Sequence, residues 1–242
     1  MKYVMFIVCD EGVPTAEDLA MLQHDLPGWA KEMDARGVQR YGRELDLPGT
    51  ASTVRVRDGE TLVTDGPFAE AKEFVAGFNL LGCSDLDEAI EVAASCPIAR
   101  VQPLEIRPFA DALPLTERAS AFARNDDSAG TPYLLTMWMG TSPAAPFDDQ
   151  AVRAQTGAWR RDLAARGLHV LGNELQDAGL ATTVRVQDGQ RLLSSGPAIG
   201  TEEFIAGLDV VSCAGRQQAI RLAATHPFAR YHAVEVRPFY RE

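Results

Sequence analysis

The chain of 242 residues has only four cysteines and four histidines, and both are scattered along the sequence. No two cysteines form a CxxC pair, and no group of cysteines and histidines has the spacing of zinc ligands. We therefore expect free, buried thiols of a reducing compartment, which predicts a cytoplasmic location and no metal site.

The sequence also lacks a long hydrophobic run, since the apolar segment from Tyr3 to Cys9 is too short to span a membrane and is typical of a first β-strand. The net charge of −11 argues against nucleic acid and anionic membranes as partners, because both need clustered lysine and arginine. A phosphate loop, a dinucleotide-binding fingerprint, a nucleophile elbow and an HExxH motif are all missing. We expect no cofactor, although these absences leave flavin and haem open.

What the chain does contain is a long internal repeat. Residues 3–109 match residues 133–239 at a constant offset of 130 residues. A period of this length indicates two duplicated domains, not a solenoid. We place the first domain at residues 1–110, a polar linker at 111–131 and the second domain at 132–242.

The pattern of each copy predicts its fold class. In the first copy, Thr53 to Arg57 alternates as a half-buried strand does, and Asp58-Gly59 is a hairpin turn signal. With the flanking segments, each copy reads strand, helix, strand, hairpin, strand, helix, strand. This order indicates an α+β, ferredoxin-like domain. Because both faces of its sheet are apolar, we expect the two tandem domains to pack sheet to sheet as an intramolecular pseudo-dimeric α+β barrel.

The segment VRDGETLVTDGPFAEAKEFVAGF resembles the YCII-related family, specifically its DGPF branch. The resemblance covers both copies, and it implies a dimeric α+β barrel in a cytoplasmic bacterial protein, sometimes linked to extracytoplasmic-function sigma factors. For some relatives it also implies lyase, isomerase or dehalogenating chemistry by a His and Asp pair without a redox cofactor. The second copy has Ser195 where the first has Asp65, so only the first copy keeps the motif acid.

Asp65 is the candidate catalytic base, because a carboxylate desolvated between apolar sheets is suited to proton transfer. His24 on the first helix is its candidate partner. The alternatives are that Asp65 hydrogen-bonds its own turn and that His24 is a surface helix residue. The predicted substrate-binding residues are Gly66, Pro67, Phe68, Lys72, Arg55 and Trp138.

Two functions follow from these residues. The first is a small-molecule enzyme that performs cofactor-independent acid–base chemistry, of lyase or isomerase type, at the DGPF loop of the first copy. The alternative is a non-catalytic metabolite-binding or accessory module linked to stress or sigma-factor signalling. Both involve a small-molecule ligand, and a further homodimer stays open.

Overall fold

The computed structural model describes residues 2–9, 14–68, 73–113, 116–123, 130–140, 147–199 and 203–241. The α-helices in these ranges are α1 (Ala16–Ala35), α2 (Leu86–Ser95), α3 (Glu117–Ala123), α4 (Asp149–Ala165) and α5 (Arg216–Thr225). The strands of the first repeat are β1 (Tyr3–Cys9), β2 (Gln39–Glu44), β3 (Ser52–Arg57), β4 (Glu60–Asp65), β5 (Phe74–Leu81) and β6 (Leu104–Pro108). Those of the second are β7 (Thr131–Met139), β8 (His169–Glu174), β9 (Thr182–Gln187), β10 (Gln190–Ser195), β11 (Phe204–Cys213) and β12 (Ala233–Pro238). Across the described ranges, every helix is too short or too polar to cross a membrane.

Helix α1 begins at a capping box. Thr15 Oγ1 accepts the backbone N–H of Asp18 at 3.1 Å, and the Asp18 carboxylate accepts the N–H of Thr15 at 2.9 Å. The helix continues through Pro27, and it is one element from Ala16 to Ala35. Pro27 and Gln23 are exposed, so the carbonyl that the proline leaves unpaired can bind water.

The strands form two antiparallel six-stranded sheets, which confirms the α+β class. One sheet has the order β10-β9-β6-β1-β5-β2, and the other has the order β4-β3-β12-β7-β11-β8. Four strands of each sheet, with the helices that connect them, reproduce the ferredoxin-like arrangement predicted from the sequence. The packing of sheet on sheet and the barrel stay predictions.

Each sheet is completed by a hairpin from the other repeat. The hairpin β9–β10 of the second repeat joins the sheet of the first through pairing of β9 with β6. The hairpin β3–β4 of the first repeat joins the other sheet through pairing of β3 with β12. The compact units therefore each combine segments of both repeats. The first unit comprises Met1–Glu44, Ala71–Ala112 and Leu175–Gly200, and the second comprises Leu45–Glu70, Leu113–Glu174 and Thr201–Glu242.

The exchanged hairpins contribute to the hydrophobic core of the unit that they join. Val184 on β9 is fully buried in the core of the first unit, among Met5, Leu104 and Ile106. Val54 on β3 is fully buried in the equivalent core of the second unit. Burial of a valine side chain stabilises a fold by roughly 1.5–3 kcal/mol, so the exchange is part of each unit's stability.

This exchange predicts the behaviour of the first repeat on its own. In a fragment of residues 1–112, β3 lacks β12 and β6 lacks β9. Because β6 and β12 occupy equivalent edges, two fragments can satisfy both edges by exchanging hairpins. We expect the fragment to form a homodimer, as measured by light scattering after gel filtration. A folded monomer would contradict the exchange.

Candidate functional site

The backbone of the DGPF loop is held in the second unit by hydrogen bonds. Gly66 has a φ of +99°, which a residue with a side chain rarely adopts, and its N–H donates to the carbonyl of Ala51 at 3.0 Å. Thr53 Oγ1 donates to the carbonyl of Gly66 at 3.1 Å. The N–H of Phe68 donates to the buried carboxylate of Glu235 at 3.0 Å. The loop is therefore anchored to β12.

Three of the predicted binding residues lie together in the second unit. The rings of Phe68 and Trp138 have centroids 5.7 Å apart, and the guanidinium carbon of Arg55 lies 5.0 Å from the centroid of Phe68. Burial lowers the pKa of Arg55, and the nearby charge of Arg57 lowers it further. Trp138 Nε1 donates to Thr136 Oγ1 at 3.1 Å. The cluster combines an aromatic surface with a cation, which is an arrangement that stabilises the loop through cation–π attraction.

The predicted catalytic residues lie at the surface. The side chain of Asp65 is 85% exposed and pairs with Arg216 Nη2 at 2.6 Å, so the expected desolvation of this carboxylate is not found. His24 belongs to the first unit, and its side chain is 88% exposed and contacts Asp25 at 2.8 Å. Pro67 is exposed, and Lys72 lies outside the described residues. The catalytic roles of Asp65 and His24 stay predictions.

The first unit contains a cavity of about 200 Å³ beside α1 and the turn that follows α2. Its apolar lining consists of Ile7, Leu26, Trp29, Ala30, Phe78 and Ile98. Its polar lining consists of Arg43, Glu44 and Asn79. Glu44 is exposed whereas Asn79 is buried, so the cavity leads from the surface to a polar group inside the unit.

The second unit carries a buried carboxylate, Asp209, which is fully shielded from solvent. Arg160 binds it with two hydrogen bonds, from Nε to Oδ1 at 2.7 Å and from Nη2 to Oδ2 at 3.0 Å. His169 Nε2 lies 2.8 Å from Oδ1. Gly172 stands opposite Asp209 on β8, and a Cβ atom there would overlap the carboxylate. The glycine therefore provides the space that this ion pair occupies.

The charge of Asp209 is stabilised by its partners. Burial by itself would raise the pKa of this carboxyl, but the Arg160 guanidinium, the hydrogen bond with His169 and the nearby ring of His226 outweigh it and hold the pKa well below its usual range. Asp209 is thus ionised at neutral pH. Among the described residues, no three His, Cys, Asp or Glu side chains are placed to hold a metal ion.

His226 faces the other oxygen of Asp209, with Nε2 3.5 Å from Oδ2. Its Nδ1 accepts the backbone N–H of Phe228 at 3.2 Å, so the proton of the neutral ring is on Nε2. Burial lowers the pKa of His226, with Arg160 and His169 acting in the same direction against the attraction of Asp209. The ring is therefore neutral at physiological pH.

The sequence did not predict the charged cluster of Arg160, His169, Asp209 and His226, because these residues are far apart in the chain. Comparison of the repeats contains a signal, however. At the offset of 130 residues, Asp209 replaces Asn79 and Arg160 replaces Ala30, so a complementary charge pair is present in one copy alone. His226 replaces Cys96 in the same copy. Such paired replacements indicate contact between the two positions.

Comparison with known proteins identifies the family. The profile of the YCII-related domain matches residues 1–112 and again residues 134–241. The chain belongs to the YCII-related domain family. An uncharacterized protein of Rhizobium meliloti (strain 1021) is 35% identical over an alignment of 127 residues that covers 46% of this chain and 93% of that relative. The two family matches confirm the tandem duplication that the repeat predicted.

The buried histidine of this YCII-related protein predicts a pH dependence of stability. Because its pKa is lowered in the folded state, the unfolded chain binds a proton at His226 more readily than the folded chain. The free energy of unfolding should therefore fall as the pH drops below about 6.5, by up to about 1.4 kcal/mol per pH unit for this one residue. His226→Cys introduces the residue of the first repeat and should reduce this slope in urea unfolding between pH 7 and pH 5.

The matched control is His24→Gln, which changes a histidine that is 88% exposed and should leave the slope as it is. Burial also lowers the pKa of His232, so both variants retain the part of the pH dependence of stability that comes from this residue. An identical slope in the His226→Cys variant and the unaltered protein would contradict the prediction.

Proposed function

We propose that this YCII-related protein binds a small, mostly apolar molecule in the cavity of the first unit. The observation that carries the proposal is the cavity itself, which combines six apolar residues with three polar ones. Small-molecule sites typically have this composition, with an apolar lining and a few polar groups that orient the ligand. Ligand binding is common to both functions that the sequence suggested.

The size of the cavity limits the ligand. Its volume of about 200 Å³ is comparable to that of engineered cavities of roughly 150 Å³ that bind benzene. Trp29 offers an aromatic surface at the cavity, and Asn79 belongs to its polar lining. A single aromatic ring with one hydroxyl group fits both the volume and this pattern of groups.

The repeat explains why the cavity belongs to the first unit. Ala30 on α1 is small and lines the cavity, whereas the equivalent residue Arg160 carries a long side chain that binds Asp209. The Asn79 position, which Asp209 occupies in the second unit, is uncharged here. The first unit therefore keeps open the space that the second unit uses for an ion pair.

Catalysis at the DGPF loop is a hypothesis separate from ligand binding in the first unit. Asp65 and Arg216 form an ion pair at the surface. A carboxylate is a stronger general base when it is shielded from solvent, and Asp65 is exposed. The acid–base mechanism with Asp65 as base and His24 as partner therefore stays a hypothesis. The binding site in the first unit is independent of it.

The binding site is tested by filling the cavity. Ala30→Leu adds a larger apolar side chain at the cavity lining and should abolish binding of phenol, used as the probe. In the unaltered protein, phenol should raise the melting temperature and shift the NMR signal of the Trp29 indole N–H, because a ligand that binds the folded state alone stabilises it. Both effects should disappear in Ala30→Leu, while the fold stays intact.

The control is Lys31→Leu, which places the same side chain on the exposed neighbouring position and should leave phenol binding unchanged. Asp65→Asn, measured in parallel, tests the DGPF loop as the binding site. If Asp65→Asn loses phenol binding while Ala30→Leu keeps it, the site lies at the loop and the proposal is wrong. Unaltered protein that shows no response of Trp29 to phenol would also overturn it.

A further inference from the structure

The geometry points to a general acid–base centre in the second unit, in which His169 transfers the proton and Asp209 positions it. The reaction is proton abstraction from a small carbon acid. This centre consists of second-unit residues alone, and it does not depend on the cavity of the first unit. It differs from the predicted pair of Asp65 and His24 in every residue.

The charges of this centre are not required by the fold. The first unit has the same strand order and connections, yet Ala30 and Asn79 stand at the positions of Arg160 and Asp209. Burying an ion pair costs desolvation energy that its attraction only partly returns, so a buried pair is a weak source of stability. Perturbed, buried titratable groups occur preferentially at functional sites. The comparison between the repeats favours a functional reason for the pair.

The hydrogen bonds fix which nitrogen of His169 is available. Arg160 holds both oxygens of Asp209, and His169 Nε2 lies 2.8 Å from Oδ1, so the carboxylate accepts the Nε2 proton. Nδ1 of His169 has no hydrogen bond among the described residues, and the side chain is 12% exposed, so part of the ring reaches solvent. In neutral His169, this nitrogen carries a free electron pair.

The neighbours of His169 restrict its orientation. The ring of Trp159 packs edge-on against His169, with centroids 6.4 Å apart, and against His226 at 4.6 Å. Glu174 lies on the same strand as His169 and is half-buried, and burial raises its pKa against the attraction of Arg153 and Arg160. The His169 ring is thus held between the Trp159 ring and the ionised Asp209 carboxylate, which is the arrangement of a base with a fixed tautomer.

The proton transfer balances within the centre. The electron pair of Nδ1 forms a bond to the substrate proton, and the electrons of the broken C–H bond stay on the substrate. The imidazolium that forms is stabilised by Asp209, which remains ionised and accepts the Nε2–H bond throughout. The proton then returns from Nδ1 to the product or to water. No electron acceptor is needed, because the step changes no oxidation state.

The probe for this centre is 5-nitrobenzisoxazole, whose ring opens when a base removes its C–H proton. The N–O bond breaks as the nitrile forms, and the released phenolate is measured by absorbance. The full-length protein should accelerate the reaction about 100-fold or more over buffer, in the range typical of a positioned base. His169→Gln, which introduces the residue of the first repeat, should lower the rate at least tenfold, and Arg161→Gln, at an exposed position of α4, should leave it unchanged.

The role of Asp209 is tested by the variant Asp209→Asn and by NMR. In Asp209→Asn, the rate should fall at least tenfold and the His169 proton should no longer be confined to Nε2, because the carboxylate that accepts the Nε2 proton is lost. If that variant does not fold, nitrogen NMR of the unaltered protein still tests the geometry, since the neutral ring of His169 should carry its proton on Nε2. A proton on Nδ1, or a rate that His169→Gln leaves unchanged, would overturn the inference, as would a rate in the unaltered protein equal to that of buffer.

Discussion

The pairing of each repeat's last strand with a hairpin from the other repeat is the interaction on which the structure depends. Because β6 pairs with β9 and β12 pairs with β3, neither last strand is left as an open edge. The same pairing brings the loop after each hairpin to a buried glutamate. Glu235 accepts the N–H of Phe68 in the second unit, and Glu105 accepts the N–H of Ala198 in the first. The exchange of hairpins therefore both pairs the last strands and anchors the loops.

The two units show how one fold holds two different interiors. At the junction of helix and sheet, the first unit has a cavity beside Ala30 and Asn79, whereas the second has the ion pair of Arg160 and Asp209. The ion pair needs a glycine on the second strand of the motif, since any side chain at Gly172 would overlap the carboxylate. The fold therefore fixes the place of a site, and the local residues decide whether it binds a ligand or holds charge.

The fold was largely predictable because its determinants are local. The Asp58-Gly59 turn occurs where the sequence placed it, and it has the positive φ angles that its residues favour. The exchange of hairpins was not predictable, because both repeats carry the same pattern and either hairpin fits either edge. Asp65 lies at the surface because it ends β4, an edge strand, which a sequence pattern does not reveal. The charged cluster joins residues that are 40 and 49 positions apart, beyond the reach of any local motif.

The exchanged hairpins also bear on how such a chain can diverge after duplication. A substitution in the DGPF loop of the first repeat changes the contacts of Glu235 and Trp138, which belong to the second repeat. The two repeats therefore cannot diverge independently, because a change in one half selects for a compensating change in the other. A recombination event that replaced only one half would separate a loop from its anchor, so the two halves are expected to be inherited and to evolve as a single unit.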